Sequence, residues 1–228
     1  MTTLAELKAK LCAPDALDSN ATMLSGGRLF RTDTSEVEYE FRCGLDFTLA
    51  NACDSTWGAF NLRLLRHIEG LNLADGALNE LLDAVQLDDG HWRWLLKSLL
   101  YQGDEYRWFF LVADGAPQAA CLIFHPKASA FDGQGIFYIE YIAVAPWNRI
   151  NPMEGRIFSG LGRLLIGLVN DYAVEHLRLR PGYSLHALPK AVAFYQAIGM
   201  QRFVELDKEG LPYFELPPEG RSAAGTLA

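Results

Sequence analysis

The first candidates for chemistry are main-chain amides, at a point where a polar loop runs into a helical pattern. They belong to five successive residues: Ser159, Gly160, Leu161, Gly162 and Arg163. The first turn of a helix leaves its N–H groups without partners inside the helix, and with the helix dipole these groups favour an anion. Glycine has no side chain to keep a bulky phosphate away. Arg149, Arg156 and Arg163 add nearby positive charge. The sequence therefore predicts a phosphate or diphosphate site, and the alternative is a turn that only allows close helix–strand packing.

Two familiar phosphate motifs are excluded. The chain has no G-x-x-x-x-G-K-[ST] stretch, so a Walker-type nucleotide site is not expected. The spacing also fails the G-x-G-x-x-G dinucleotide pattern, because its third glycine position is Leu165.

Two side chains are candidates for accepting a proton. Glu140 stands in the middle of the strand-like stretch "FYIEYIAVA", where an ionised group is costly unless it is paired or faces a cleft. His186 ends the short strand "YSLH", and an imidazole accepts a proton near neutral pH. The alternatives are a salt-bridged or solvated Glu140 and a His186 that hydrogen-bonds the backbone. The five histidines show no ligand spacing, so we expect no metal site.

The elements that must position these groups follow from periodicity and turn signals. Helical spacing covers about 45–70, and two further helical pieces are separated at Asp88-Asp89-Gly90. Asp114-Gly115 between two apolar runs predicts a β-hairpin. A strand, a helix from about Gly160 to Glu175 and a second strand predict one parallel pair over residues 136–187. A helix ending at Gly199 and a closing hairpin follow. The fold class is therefore α+β (α/β), with a mixed, mostly antiparallel sheet flanked by helices and a helical N-terminal extension.

Composition limits the class of protein. The chain has 228 residues, a net charge of −8 and a pI of about 5.1, which disfavours binding along nucleic-acid phosphates. No transmembrane helix and no secretory signal are expected, and four cysteines without a C-x-x-C pair favour reduced thiols and a cytoplasmic location. We expect an N-terminal extension over 1–38 consisting of a helix and a connector. A main domain over 39–217 follows, helical over 39–103 with its core over 104–217, and then a disordered tail over 218–228.

Three motifs together resemble the GCN5-related N-acetyltransferase (GNAT) superfamily, in a bacterial subgroup of unknown substrate. "IAVAPWNR" resembles that family's fourth strand and its exit, "GLGRLL" is similar to the end of its pyrophosphate loop, and "AVAFYQAIGM" resembles its tyrosine-bearing helix. The likeness covers about Tyr106 to Leu216. It departs from the family pattern at Ile157, where a Gln or Arg is usual, and at Leu188, where an Asn is common.

The resemblance implies a site and a reaction. Acetyl-CoA would be the co-substrate, with its pantetheine arm paired to main-chain groups of Ile142, Ala143 and Val144. Tyr195 matches the family tyrosine that gives a proton to the departing thiolate, and its alternative is a buried structural tyrosine. The implied activity is direct acetyl transfer to an amine of a small molecule or a protein. Two alternatives are a non-catalytic acyl-CoA-binding or partner-binding module and a toxin that acetylates charged tRNA, which the negative charge disfavours. The acceptor and the oligomeric state, a homodimer included, stay open.

Overall fold

The computed structural model describes residues 3–13, 17 and 19–218. Its helices are α1 Leu4–Cys12, α2 Phe47–Ala52, α3 Gly58–Gly70, α4 Asp75–Ala84, α5 Trp94–Leu100, α6 Leu161–Glu175 and α7 Val192–Ala197. Its strands are β1 Thr22–Phe30, β2 Glu36–Cys43, β3 Tyr106–Ala113, β4 Ala116–Ala128, β5 Gly135–Val144, β6 Tyr183–His186, β7 Gln201–Arg202 and β8 Tyr213–Glu215. A π-helical turn, Cys53–Trp57, joins α2 to α3.

The eight strands form one sheet in the order β1-β2-β3-β4-β5-β6-β8-β7. Strands β1 and β2, β2 and β3, β6 and β8, and β7 and β8 pair antiparallel, whereas β5 and β6 pair parallel. The turn Asp114-Gly115 has positive φ at both residues, 54° and 69°, as a two-residue hairpin of type I′ requires. The predicted mixed, mostly antiparallel fold class and its parallel pair are therefore confirmed.

The chain divides into two compact units. The first comprises the described residues up to Gly103, with Trp108–Ala120 and Ala143–Gly162; the second comprises Asp104–Arg107, Cys121–Ile142 and the described residues from Arg163 onward. In the first unit, Phe60, Leu64, Ile68 and Val85 form a buried cluster under α3 and α4. In the second, Phe137 of β5 stacks on Tyr183 of β6, with ring centroids 5.4 Å apart. The boundaries predicted at residues 38 and 217 stay a prediction.

The N-terminal extension corrects the sequence analysis. A connector was expected after α1, but β1 and β2 form an antiparallel hairpin, and β2 also takes the start of the stretch predicted as helical. The misleading signal is Gly26-Gly27, which is typical of a connector. In the structure the Tyr39 ring lies against Gly27, where an added Cβ would come within 2.8 Å of Tyr39 Cε1. A cross-strand aromatic ring thus covers the glycine and keeps it in a strand.

Two other predictions concern the ends of the chain. The closing hairpin is shorter than expected, because Gln201–Arg202 alone pairs with β8 and Val204–Leu206 forms a 3-10 turn. The predicted disordered tail lies outside the described residues from residue 219 onward.

Among the helices of the part of the chain that the structure describes, none has both the length and the apolar character needed to cross a bilayer.

Candidate functional site

Strand β5 runs beyond its partner β6. The parallel register includes Phe137, Tyr138 and Ile139 of β5 and ends at Leu185 of β6, while β5 continues to Val144. The last five residues of β5 therefore extend past the paired part of the two strands. An edge of this kind offers main-chain hydrogen-bonding groups to an extended ligand.

The direction of the main-chain groups distinguishes the three residues predicted to hold a pantetheine arm. The Ala145 amide donates to the carbonyl of Gln118 on β4, at 2.9 Å. Because hydrogen-bonding groups alternate along a strand, Ala143 also points toward β4. The groups of Ile142 and Val144 point to the opposite side. A ligand pairing with β5 would thus meet Ile142 and Val144.

Arg149 was predicted to hold phosphate, but the structure places its side chain in an internal network. It forms a bidentate ion pair with Asp89, at 2.6 and 2.5 Å, and also donates to the carbonyls of Val144 and Gln86. The side chains of Arg149 and Asp89 are only 12% and 7% exposed. The guanidinium therefore fixes the end of β5, and its donors are used within the first unit and not by a phosphate.

The loop after β5 is held by side chains that the sequence analysis missed. Asn148 accepts from the Phe158 amide at 3.0 Å and donates to Gln118 Oε1 at 2.9 Å, and Trp147 donates to the same oxygen. Gln118 and Asn148 are both buried. A signal for this network was present, because Gln118 interrupts the apolar stretch "APQAACLIF" and a buried amide needs partners.

The β1–β2 hairpin holds the same loop from another direction. The Thr32 amide donates to the carbonyl of Ile157 at 2.9 Å, and the Thr32 hydroxyl donates to the carbonyl of Arg156 at 2.6 Å. Arg31 forms an isolated bridge with Phe158. The N-terminal extension therefore helps to order the segment that leads into α6.

The predicted anion site begins directly after these anchored residues. The amides of Ile157 and Phe158 have partners, whereas no described residue accepts from the amides of the next five: Ser159, Gly160, Leu161, Gly162 and Arg163. Helix α6 begins at Leu161, so these amides belong to the turn and to the first turn of the helix. They are available to an anion.

The two glycines have different roles in this turn. Gly160 has a φ of +74°, and a Cβ added there would meet no atom within 4 Å. A Cβ on Gly162 would lie 3.6 Å from Val144 Cγ2, so the start of α6 packs against the end of β5. Gly160 thus gives the left-handed conformation and open space beside the amides, and Gly162 allows the close approach of helix and strand. Arg156 and Arg163 are exposed and form no ion pair with the described residues.

Tyr195 lies in the second unit with its ring buried. The residue is 7% exposed and its ring is near those of Phe194 and Phe214. No described residue forms a hydrogen bond with its hydroxyl. Burial, with smaller contributions from Tyr183 and Cys121, raises the pKa of Tyr195 well above its ordinary value. Its hydroxyl therefore keeps its proton across the physiological range, as a general acid must.

Glu140 and His186 also lie in the second unit, and both are half-buried. The Tyr138 hydroxyl is 2.6 Å from His186 Nδ1, and His186 Nε2 is 2.8 Å from the carbonyl of Leu206. Both ring nitrogens of His186 are therefore engaged. Glu140 follows Tyr138 by two residues on the same face of β5 and helps to raise the pKa of Tyr138 through its negative charge.

The buried tyrosines of the second unit predict loss of stability at alkaline pH. Burial raises the pKa of Tyr138, Tyr183 and Tyr195, and raises that of Tyr213 to about 12. Unfolded tyrosines ionise near pH 10, so above that pH the unfolded state releases protons that the folded state retains. The stabilisation is complete below pH 10, and the free energy of unfolding should fall as pH rises further, by at most about 1.4 kcal/mol per pH unit for each tyrosine. Denaturant unfolding between pH 8 and 11.5 measures this, and Tyr183→Phe should reduce the slope. An equal slope for wild type and variant would contradict it.

Comparison with known proteins gives structural neighbours only. No family model matches the sequence, and no curated protein matches it. A provisionally assigned GNAT-family acetyltransferase of Desulfovibrio desulfuricans is 18% identical, with 78% of this chain and 96% of that chain covered and a TM-score of 0.43. An acyl-CoA N-acyltransferase of Pseudomonas aeruginosa is 20% identical over 64% and 91% of the two chains, with a TM-score of 0.37.

A third neighbour is the N-acetyltransferase PseH of Campylobacter jejuni, solved with acetyl coenzyme A. It is 17% identical over 53% of this chain and 73% of its own, with a TM-score of 0.36. Of these three neighbours, the first is described as a member of the family that the sequence motifs resemble. At these identities and TM-scores they assign no activity to this chain. The described residues contain no group of His, Cys, Asp and Glu placed to hold a metal ion.

Proposed function

We propose that this chain is an acyl-CoA-dependent N-acyltransferase that moves an acetyl group directly from coenzyme A to an amine. The observation that carries the proposal is the run of amides from Ser159 to Arg163, which have no partner among the described residues and lie at the start of α6, against the end of β5. A diphosphate matches such a run, because several N–H groups and the helix dipole act on the same anion. Arg156 and Arg163 supply exposed positive charge close by in the sequence.

The same segment supports an extended thioester ligand. Beyond the paired part of β5, Ile142 and Val144 direct their main-chain groups away from β4, as the Ala145 bond implies. A pantetheine amide can add to this edge as a further strand does. Arg149 donates hydrogen bonds to the Val144 carbonyl. The Val144 amide is therefore the main-chain group that could donate to a ligand oxygen. An amide in that position can stabilise the oxyanion that forms when an amine attacks the thioester carbon.

The proposed reaction is a direct transfer. The neutral amine attacks the carbonyl carbon of the thioester, the C–N bond forms, the C–S bond breaks, and the thiolate takes a proton from the Tyr195 hydroxyl. Among the cysteines, Cys121 contributes to the raised pKa of Tyr195, but Cys121 is fully buried and burial raises its own pKa. A buried neutral thiol is a poor nucleophile, which favours direct transfer over an acyl-cysteine intermediate.

A glycine substitution tests the anion site without removing a charge. Asn tolerates the left-handed conformation, so Gly160→Asn should fold and place a side chain in the open space beside the amides. We expect the Kd for CoA, measured by calorimetry, to rise at least about tenfold, which corresponds to about 1.4 kcal/mol.

Gly155→Asn is the matched control, because Gly155 lies in the same loop, is exposed and also has no atom within 4 Å of an added Cβ. Pantetheine, which lacks the diphosphate, should bind both variants and the wild type alike. Equal CoA affinity for Gly160→Asn and Gly155→Asn would remove the anion site from the proposal. Release of free thiol from acetyl-CoA across a panel of amines then tests the reaction itself.

A further inference from the structure

One face of the sheet in the second unit is polar across three strands. Tyr138 of β5 lies beside Ser184 of β6, and Ser184 is opposite Glu215 of β8. One step further along the strands, His186 is opposite Tyr213, with ring centroids 5.2 Å apart. The other face carries the apolar row Ile139, Leu185 and Phe214. Because side chains alternate between the faces of a sheet, this polar layer is a feature of the register.

Part of the polar layer is fully explained by internal pairing. Glu215 is completely buried, and it accepts from the Ser129 hydroxyl, from the Ala130 amide at 2.8 Å and from the Tyr213 hydroxyl at 3.2 Å. Arg180 lies 3.4 Å from the same carboxylate. A buried carboxylate with these partners is a structural group. Tyr138 and His186 differ from it because both are half-buried, and His186 follows Leu185, the last residue of β6 that pairs with β5.

The hydrogen bonds of His186 determine its tautomer. A carbonyl oxygen only accepts, so Nε2 carries the proton that is donated to Leu206, at 2.8 Å. In the neutral ring Nδ1 then has the free electron pair. The Tyr138 hydroxyl, 2.6 Å away, donates to it. The pair is thus a phenol whose proton already points at a basic nitrogen.

The groups around the pair are of known charge. Glu140 and Tyr141 on β5 and Tyr213 on β8 act on the Tyr138 hydroxyl, and with burial they raise its pKa. Asp207, which follows the Val204–Leu206 turn, interacts electrostatically with His186. Asp207 is itself paired with Arg202. The negative charge of Glu140 favours a cationic amine near the Tyr138 hydroxyl.

We propose that the Tyr138 hydroxyl oxygen takes the proton from the acceptor ammonium while Tyr138 passes its own proton to Nδ1 of His186. This inference rests on the proposed function and names the group that receives the proton. Tyr138 would be the catalytic residue that contacts the amine, and His186 would accept the proton from Tyr138 and hold the positive charge. Glu140 would favour the cation electrostatically and would not itself take the proton.

The protons balance in this scheme. The acceptor ammonium loses one proton through Tyr138 to His186, which becomes an imidazolium with both nitrogens protonated and later releases the proton to solvent. The amine then forms its C–N bond with the acetyl carbon. The second proton of the nitrogen leaves for solvent after the attack, and solvent restores the proton that Tyr195 gives to the thiolate. The products are the amide, free CoA thiol and one released proton.

Kinetics of three variants test the proposal. Tyr138→Phe and His186→Gln should each lower kcat/KM for the amine by about 100-fold or more, with the Kd for CoA unchanged. Tyr106→Phe, at a half-buried tyrosine of the second unit whose ring lies beside Phe124, should behave as wild type. The pH profile of kcat/KM should differ between the wild type and His186→Gln.

A second measurement needs no substrate. In ¹⁵N spectra of the free chain, His186 should show the Nε2–H tautomer, and Tyr138→Phe should shift its Nδ1 resonance. An active wild type in which Tyr138→Phe and His186→Gln stay within about threefold, with Glu140→Gln showing the large loss, would overturn the proposal and leave the proposed function intact. A wild type that neither binds CoA nor releases thiol would overturn both.

Discussion

Replacing Tyr195 with Phe is expected to lower kcat for acetyl transfer by about 10²- to 10⁴-fold, the range of a lost general acid. The change removes only the hydroxyl of Tyr195. The ring is buried, and the hydroxyl has no hydrogen-bond partner among the described residues. Because no internal bond is lost, the folded state should keep its stability within about 0.5 kcal/mol. The expected loss is therefore in chemistry alone. Stopped-flow or steady-state thiol release measures it, with calorimetry of CoA binding in parallel.

The pH dependence gives this test a second part. The raised pKa of Tyr195 means that the acid stays protonated to above pH 10, so the wild-type rate should not fall between pH 8 and 10 through loss of this proton. Tyr106→Phe is a matched control, because Tyr106 is a half-buried tyrosine of the second unit that lies beside Phe124 and has no proposed role. If Tyr195→Phe keeps more than a third of the wild-type kcat, another group supplies the proton. If the wild type binds CoA but transfers no acetyl group to any amine, the non-catalytic alternative holds.

Breaking the pair of Arg149 and Asp89 is expected to cost about 3–5 kcal/mol of unfolding free energy, as measured for buried ion pairs that lose one partner. Arg149→Met would leave the Asp89 carboxylate buried without its counter-charge. Asp89→Asn would likewise leave the Arg149 guanidinium buried without a negative partner. Arg149→Met would also remove both bonds to the Val144 carbonyl, which fix the end of β5. Denaturant unfolding of each variant measures the loss.

Two further variants separate pairing from general disturbance. Asp89→Leu combined with Arg149→Met should lose less than the sum of the single changes, because no unpaired charge remains buried. Glu36→Gln breaks the ion pair with Arg28, in which the side chain of Arg28 is 67% exposed and that of Glu36 is 42% exposed. This change should lower the free energy of unfolding by under about 1 kcal/mol. Single variants at Arg149 or Asp89 that lose no more than Glu36→Gln would show that the pair does not fix this segment.

Local signals in the sequence predicted much of the fold. Asp114-Gly115 fixes a hairpin by backbone conformation alone, and both residues take the positive φ that the signal implies. The start of α6 was predicted at Gly160 and lies at Leu161, because glycine permits the left-handed turn before the helix. Such features depend on residues that are neighbours in the sequence, so they can be predicted from it.

The features that the sequence did not predict depend on partners far along the chain. Gly26-Gly27 belongs to a strand only because Tyr39 on the next strand covers it. Arg149 has the positive charge of a phosphate ligand, but in the folded chain this charge is paired with Asp89. The buried bond from Asn148 to Gln118 likewise joins segments thirty positions apart. Each requires knowledge of which strands are adjacent, which residue types and spacing do not give.

The most direct test of the central claim follows the backbone amides of residues 159–163 by ¹⁵N NMR during a titration with CoA. These amides, which have no partner among the residues that the structure describes, should show the largest shifts and become protected from exchange with solvent. Gly160→Asn should abolish the effect, while Gly155→Asn should not. Saturating CoA binding that leaves these five amides unshifted, or no binding at all, would contradict the account.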